Sequence, residues 1–215
     1  MSGAGFEALL CDLDNVIRFY GYEEVERLER LAGLAPGTTA GIGFAPERDL
    51  PLLLGRIGRA EWAASIADGL AGLAPEGLAG ELAAAFAHAP SRVDGEVAEV
   101  VRRVRRVMPV VLVTNATLWL EEDLERLGID DLADHVVSSA RVGIAKPDPE
   151  IYRIAAERAG VPAHRCAFVD DSRTNVEAAR RAGMTGVLYR SAADLRRLVG
   201  SAVGAWGDSL RGSGR

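Results

Sequence analysis

The sequence has few of the residues that mark several large classes of protein. Its 215 residues include only two cysteines, Cys11 and Cys166, which exclude a disulfide scaffold and a thiolate metal site. No apolar run approaches the roughly 20 residues of a membrane span. Acidic side chains interrupt the N-terminal apolar stretch, so we expect no signal peptide. We therefore predict a cytoplasmic protein with reduced thiols.

Lysine is scarcer still, because Lys146 is the only lysine among 25 basic residues and the others are arginine. The 31 acidic residues give a formal net charge of −6, which argues against nucleic acid or an anionic membrane as a partner. A chain that is 48% hydrophobic and 26% charged has the composition of a globular domain. We expect a small molecule as its partner and leave open whether the chain is a monomer or a homodimer.

Short apolar segments alternate with amphipathic segments along most of the chain. This alternation predicts a doubly wound, Rossmann-like α/β fold with a parallel sheet. The apolar segments predict strands at 6–11, 108–113, 135–138, 166–169 and 186–189. The amphipathic segments between them predict helices at about 95–107, 117–127, 149–159 and 173–182.

The first two strands lie much further apart than the dozen or so residues that a βαβ crossover needs. We predict a helical insert at 18–93, with helices at about 21–33, 58–70 and 75–88 and no clear strand. The core would then comprise 1–17 and 94–199, followed by a flexible tail at 200–215. An insert on the end of the first strand lies over the ligand-binding edge of the sheet, so it is placed to act as a lid.

Two of the predicted strands end in paired carboxylates. Asp12 and Asp14 follow the first strand, and Asp170 and Asp171 follow the strand at 166–169. The carboxyl ends of parallel strands meet at one edge of the sheet, so we expect all four side chains to lie close together. Such a cluster repels itself unless a cation is present, and carboxylate oxygens suit Mg²⁺. We therefore predict a Mg²⁺ site at this edge.

Polar residues also follow the strand at 108–113. Thr114 and Asn115 lead into a helix, where a hydroxyl and free backbone amides can bind an anion or simply cap the helix. Lys146 precedes Pro147, which disfavours helical backbone at the lysine. The single lysine is therefore expected on an extended loop, as a compact positive charge near the carboxylates.

In this order the segments resemble the motifs of the haloacid dehalogenase (HAD) superfamily of hydrolases. The residues that match are Asp12-Leu13-Asp14-Asn15-Val16, Thr114-Asn115, Lys146-Pro147, and Asp170-Asp171 with Asn175. The insert resembles the helical cap of the first type in this superfamily. The resemblance covers 6–190 and implies a Mg²⁺-dependent phosphatase for a small phosphorylated metabolite.

The resemblance implies a catalytic role for five of these residues. Asp12 would attack phosphorus and form an aspartyl-phosphate. Asp14 would protonate the leaving oxygen and then activate the hydrolytic water. Thr114 and the Asn115 amide would bind the phosphoryl oxygens, and Lys146 would offset the charge between Asp12 and the phosphate.

The resemblance also implies the metal ligands. Asp12, the backbone carbonyl of Asp14 and Asp171 would hold Mg²⁺, with Asp170 as a further ligand or just behind the ligands. Asn15 stands where the family most often has glycine, a departure that removes no catalytic group. Dehalogenases of this superfamily lack an acid at the Asp14 position, so its presence favours phosphoryl chemistry.

Three other functions stay open on the sequence: a phosphomutase similar to β-phosphoglucomutase, a 2-haloacid dehalogenase, and a binding protein that has kept the fold without turnover. Substrate selection is expected to lie in the insert. The candidate specificity residues are Arg18, Tyr20 and Arg56, and Arg59 and Trp62 are further polar or aromatic residues of the insert.

Overall fold

The computed structural model describes residues 5–75 and 77–200. The strands of this part are β1 (Ala8–Cys11), β2 (Arg18–Tyr20), β3 (Ser91–Val93), β4 (Val110–Thr114), β5 (His135–Ser138), β6 (Cys166–Asp170) and β7 (Thr185–Leu188). The helices are α1 (Glu23–Ala32), α2 (Thr38–Gly43), α3 (Pro46–Leu53), α4 (Arg59–Leu70), α5 (Leu78–Ala87), α6 (Gly95–Arg105), α7 (Leu120–Leu127), α8 (Ser139–Val142), α9 (Pro149–Ala159), α10 (Arg173–Arg181) and α11 (Ala192–Gly200).

Strand β1 lies at the centre of a five-stranded parallel sheet with the order β5-β4-β1-β6-β7. All four residues of β1 are buried, as expected for a strand with helices on both faces. Leu9 packs in the same cluster as residues of α6 and α11, whereas Leu10 packs with residues of α9 and α10. The predicted doubly wound α/β fold is therefore confirmed.

Helix α9 begins and ends where its sequence predicts. The Asp148 side chain accepts a hydrogen bond of 2.9 Å from the backbone N–H of Glu150, and Pro149 is the first helical residue. Gly160 follows the helix with a φ of 67°, the left-handed conformation that ends many helices. These local signals fix the helix that directly follows Lys146.

Five helices, α1 to α5, lie between β2 and β3 along the chain. They bury a hydrophobic cluster of their own, which includes Ile66, Leu70 and Leu82. The helices expected at 21–33, 58–70 and 75–88 correspond to α1, α4 and α5. Helices α2 and α3 were not predicted, because α2 is short and contains two glycines and Pro51 lies inside α3.

The expectation that this segment contains no strand was wrong. β2 and β3 pair antiparallel at its two ends, with Phe19 opposite Arg92. Each strand has only three residues, too few for a period of two to be recognised, and the pairing joins segments about 70 residues apart. Only the folded chain brings the two halves of this ribbon together.

None of the helices formed by the described residues combines the length and the apolar character that a membrane span needs. The predicted flexible tail at 200–215 lies outside the described residues except for Gly200, which is the last residue of α11.

Candidate active site

Lys146 joins two of the carboxylates expected at the site. Its Nζ lies 2.7 Å from Asp12 Oδ1 and 2.7 Å from Asp170 Oδ2, and all three side chains are at least nine-tenths buried. Burial raises the pKa of Asp12 to about 8, an effect that Lys146 opposes and Asp170 increases. Burial alone would lower the pKa of Lys146, but the two carboxylates raise it above its ordinary value. The lysine therefore stays charged and compensates the buried acids.

Asp170 is held by several donors. Its Oδ1 accepts a hydrogen bond of 2.8 Å from the backbone N–H of Ser172, and Asn175 Nδ2 lies 3.2 Å from each carboxylate oxygen. The Tyr152 hydroxyl donates to the backbone carbonyl of Asn175 at 3.0 Å. Because Lys146 occupies Oδ2 as well, both oxygens of Asp170 are engaged. Asp170 therefore acts structurally as the anchor of the lysine.

Asp171 is more exposed, and a carboxylate oxygen of each of Asp12, Asp170 and Asp171 lies within 4.8 Å of the others. Burial, followed by the charge of Asp170, raises the pKa of Asp171, and a hydrogen bond from the Asn15 side chain opposes the rise. Asn15 has a φ of 60°, a left-handed conformation that asparagine and glycine adopt most readily. Glycine would allow this turn, but it would lack the amide that contacts Asp171.

Thr114 and Asn115 lie at the carboxyl end of β4, next to β1 in the sheet. Thr114 is fully buried, and its Oγ1 has no hydrogen-bond partner among the described residues. The Asn115 side chain binds the backbone of Lys146: its Oδ1 accepts from the Lys146 N–H at 2.7 Å, and its Nδ2 donates to the Lys146 carbonyl at 3.0 Å. No local pattern in the sequence indicates this clamp, because the two residues are 31 positions apart.

Asp14 is held by Arg18 rather than by the Lys146 cluster. Arg18 Nε and Nη2 donate to the two oxygens of Asp14 at 2.6 and 3.0 Å, and Nη1 lies 3.3 Å from Asp123 Oδ2. Arg18 is 3% exposed. Its guanidinium is therefore already paired with two carboxylates, and the role in substrate selection expected for Arg18 stays a prediction.

A cavity of about 720 Å³ opens beside this site. Residues of both the core and the insert line it, among them Asp14, Asn115, Arg18, Tyr20, Arg59 and Trp62. Two of the predicted specificity residues, Arg18 and Tyr20, are thus on the cavity. The third, Arg56, is exposed and does not line it, because it lies in the turn after α3. Arg59, the first residue of α4, lines the cavity instead.

Sequence similarity to curated proteins supports the family resemblance that these motifs suggest. Over 112 residues, 51% of this chain, the sequence is 38% identical to Phosphatase MT3486 of Mycobacterium tuberculosis. The match spans about half of that relative, 52% of its length. Other curated relatives, matched over shorter segments, are also named as phosphatases.

Solved structures show the same fold. A HAD family enzyme from Bacteroides thetaiotaomicron, in complex with magnesium and inorganic phosphate, matches with a TM-score of 0.67 at 19% identity, over 86% of this chain and 95% of that one. L-2-haloacid dehalogenase from Xanthobacter autotrophicus matches with a TM-score of 0.60 at 20% identity, over 93% of this chain and 84% of that one.

The family model for haloacid dehalogenase-like hydrolases matches residues 6–183. This range includes all four motifs, the carboxylate cluster around Lys146 and the helical segment between β1 and β4. The chain therefore belongs to the haloacid dehalogenase-like hydrolase family.

Proposed function

We propose that this hydrolase is a Mg²⁺-dependent phosphatase that hydrolyses the phosphate monoester of a small metabolite through an aspartyl-phosphate. The observation that carries the proposal is the buried cluster in which Lys146 joins Asp12 to Asp170 and Asp171 lies close by. Relatives that are named as phosphatases support the same reaction class.

The carboxylate cluster fits a hard divalent cation. Three carboxylates share one small volume, and the raised pKa values of Asp12 and Asp171 reflect the cost of charging them there. We propose that Asp12, Asp171 and the backbone carbonyl of Asp14 hold Mg²⁺, because the oxygens of Asp170 already have partners. When bound, the ion supplies charge neutralisation and a fixed orientation for the phosphate group.

The proposed hydrolysis takes place in two steps, and Asp12 and Asp14 act in both of them. In the first step an Asp12 carboxylate oxygen attacks phosphorus, the bond to the leaving oxygen breaks, and Asp14 gives that oxygen a proton. In the second step Asp14 takes a proton from water, the water oxygen attacks phosphorus, and Asp12 is released with inorganic phosphate. Both oxygens of Asp14 accept from Arg18 in the structure, so Asp14 must exchange at least one of these contacts to transfer a proton.

Three further groups would bind the transferred phosphoryl group. Thr114 Oγ1, a buried hydroxyl with no partner in the described part of the chain, would donate a hydrogen bond to a phosphoryl oxygen. We propose the backbone amide of Asn115 as the second donor and the Lys146 ammonium as the third. These groups stabilise negative charge that grows on phosphoryl oxygens in the transition state.

We further propose the domain division that the sequence predicts, with residues 18–93 as a cap over a core of 1–17 and 94–199. The separate hydrophobic cluster of α1 to α5 supports it, and so does the position of the β2–β3 ribbon at the two points where the chain enters and leaves the segment. A cap on such a two-stranded connection can exclude water from the cavity during the reaction.

Metal removal gives the first test. Purified protein with Mg²⁺ is expected to release inorganic phosphate from p-nitrophenyl phosphate, and EDTA should reduce this rate at least about a hundredfold, because the carboxylate cluster then lacks its counter-charge. Added Mg²⁺ should restore the rate.

Two further assays separate the alternatives. Halide release from 2-chloropropionate would instead indicate a dehalogenase, and conversion of a sugar 1-phosphate to the 6-phosphate without phosphate release would indicate a mutase. Phosphate release that is indifferent to EDTA would contradict the proposed metal dependence.

The Asn115 clamp gives a second test. Asn115→Ala removes the two hydrogen bonds that hold the Lys146 backbone, so Lys146 should lose its position against the phosphoryl group. We expect kcat for phosphate release to fall roughly ten- to a hundredfold and the free energy of unfolding to fall by about 1–3 kcal/mol.

A matched control is Glu125→Ala, an exposed residue of α7, which should leave both quantities near the wild-type values. A kcat for Asn115→Ala equal to that of the wild type would show that the clamp does not position the lysine.

A further inference from the structure

The cavity beside the site is unusually rich in aromatic side chains. The chain has five Phe, four Tyr and three Trp, and seven of these twelve side chains line this one cavity. Tyr20 stacks on Tyr22 with ring centroids 6.2 Å apart, Tyr22 stacks on Phe86 at 5.3 Å, and Phe44 meets Phe86 edge-on at 5.2 Å. The four rings form a continuous aromatic wall, which we call the ring wall.

The outer members of the ring wall are open to the cavity. Phe44 is 52% exposed and Tyr20 is 37% exposed, whereas Phe86 is almost fully buried behind them. Trp119 and Arg59 also line the cavity, and the guanidinium of Arg59 stacks on the Trp119 ring at 4.3 Å from its centroid. Tyr22 and Phe86 belong to the hydrophobic cluster of α1 to α5, whereas the exposed faces of Phe44 and Tyr20 provide a surface for a ligand in the cavity.

Four charged side chains of the cavity are already paired with one another. Arg18 is paired with Asp14 and Asp123, and the second oxygen of Asp123 accepts from Arg126 at 2.7 Å. These charged groups satisfy one another, so they are less available to the hydroxyls of a carbohydrate than unpaired groups would be. A flat apolar ring, by contrast, needs only the faces that the ring wall provides.

One carboxylate of the cavity is different. Asp49, on α3, is half-buried, and its side chain forms no ion pair or hydrogen bond within the described residues. Burial raises the pKa of Asp49 to about 6. Glu122 also lines the cavity, but it is exposed to solvent, which already satisfies it. A half-buried carboxylate without a cation is matched by a ligand that brings a positive charge or an N–H donor.

We propose that this cavity takes an aromatic leaving group whose ring carries a cationic or hydrogen-bond-donating nitrogen, with the ring against Tyr20 and Phe44 and the nitrogen bound by Asp49. The inference deepens the phosphatase function proposed above and rests on it for the reaction. The binding preference itself can be measured without turnover, so the two can fail separately.

The first experiment measures binding of two phosphonates of nearly equal size by titration calorimetry in the presence of Mg²⁺. Benzylphosphonate has a flat ring, and cyclohexylmethylphosphonate has a puckered one on the same linker. We expect benzylphosphonate to bind about three- to tenfold more tightly. Phe44→Leu should bring the ratio close to one, while Leu50→Ala, an exposed residue of the same region that does not line the cavity, should preserve it.

The second experiment tests Asp49. Adding a 4-aminomethyl group to benzylphosphonate should tighten binding about fivefold in the wild type, and Asp49→Asn should abolish this gain. Asp68→Asn, an exposed acid of α4 away from the cavity, is the matched control and should keep the gain.

The outcomes of these experiments test the aromatic binding site separately from the phosphatase function. Equal binding of the flat and puckered phosphonates, or tighter binding of the puckered one, would overturn the aromatic site whatever the turnover. An amino-group gain that survives Asp49→Asn would overturn the role of Asp49. A clear aromatic preference without hydrolysis of benzyl phosphate would contradict the phosphatase function and leave the binding site standing.

Discussion

Asp12→Asn is expected to lower the rate of phosphate release at least about a thousandfold, because an amide cannot act as the nucleophile. The same change should not destabilise the fold. Asp12 Oδ1 accepts both from the backbone N–H of Leu13 at 2.8 Å and from Lys146 Nζ at 2.7 Å. An asparagine carbonyl oxygen can keep both contacts, so the substitution alters chiefly the second oxygen.

The charge of the buried cluster is a second reason to expect that Asp12→Asn does not destabilise the fold. Burial raises the pKa of Asp12 to about 8, so the ionised carboxylate is unfavourable in the folded protein without metal. Replacing it with a neutral amide leaves Lys146 paired with Asp170 alone. We therefore expect the melting temperature in EDTA to be unchanged or higher while activity is lost, a separation typical of catalytic residues.

Two measurements check this pair of results: phosphate release with Mg²⁺, and thermal unfolding with EDTA. Asp130→Asn, at an exposed position, is the matched control and should keep wild-type activity and stability. If the Asp12→Asn protein kept more than about a tenth of the wild-type rate, Asp12 would not be the nucleophile.

The sequence was sufficient for the main architecture because the three central strands, β4, β1 and β6, are largely apolar and fully buried. The bounds predicted for β5 and α9, 135–138 and 149–159, agree with the structure, and the other predicted strands differ by a few residues. Local composition determines such elements. The β2–β3 ribbon depends instead on pairing between distant three-residue segments, which no local pattern reveals.

The membership of the site could also be predicted, for a topological reason. β4, β1 and β6 are neighbours in the sheet, so the residues after their carboxyl ends converge. The partners within the site could not be predicted, because they depend on side-chain directions in the folded chain. Arg18 pairs with Asp123, 105 positions away, and holds Asp14, whereas its role in substrate selection stays a prediction.

The second large effect on activity is expected for a substitution of Lys146. Lys146→Arg keeps the positive charge, but we expect kcat to fall at least about a hundredfold. The ammonium fits between Asp12 and Asp170 with 2.7 Å contacts to each, and the side chain is only 1% exposed. The wider, planar guanidinium cannot occupy that space without moving one of the carboxylates.

The matched control exchanges the same two residue types at the surface. Arg106→Lys, at the exposed end of α6, should leave phosphate release unchanged. Wild-type activity of Lys146→Arg would show that the single lysine reflects the composition of the chain and no requirement of the site.

Lys146→Met removes the charge, and it tests the electrostatic account through stability. Without the ammonium, the Asp12 and Asp170 side chains remain buried side by side without a cation, and we expect the free energy of unfolding at about pH 8 to fall by about 3–5 kcal/mol. Asp12 has a higher pKa in the folded chain than in the unfolded chain, so its favourable contribution is complete below about pH 4 and is lost as the pH rises through about 8. Lys146 opposes that loss, so removing it should cost more at about pH 8 than at about pH 5.

A double variant that combines Asp12→Asn with Lys146→Met shows whether Lys146 stabilises the fold through its charge or through the packing of its stem. If Lys146 stabilises the fold by compensating Asp12 and Asp170, Asp12→Asn should recover part of the stability that Lys146→Met loses, because only one buried carboxylate then lacks a cation. If the lysine stem contributes only packing, the two effects should add, and the loss in Lys146→Met should not depend on pH. Chemical denaturation of the four proteins in EDTA, at about pH 5 and about pH 8, distinguishes these results. Coupling that grows with pH would show that the group that positions the phosphate also keeps the nucleophile ionised within a buried site.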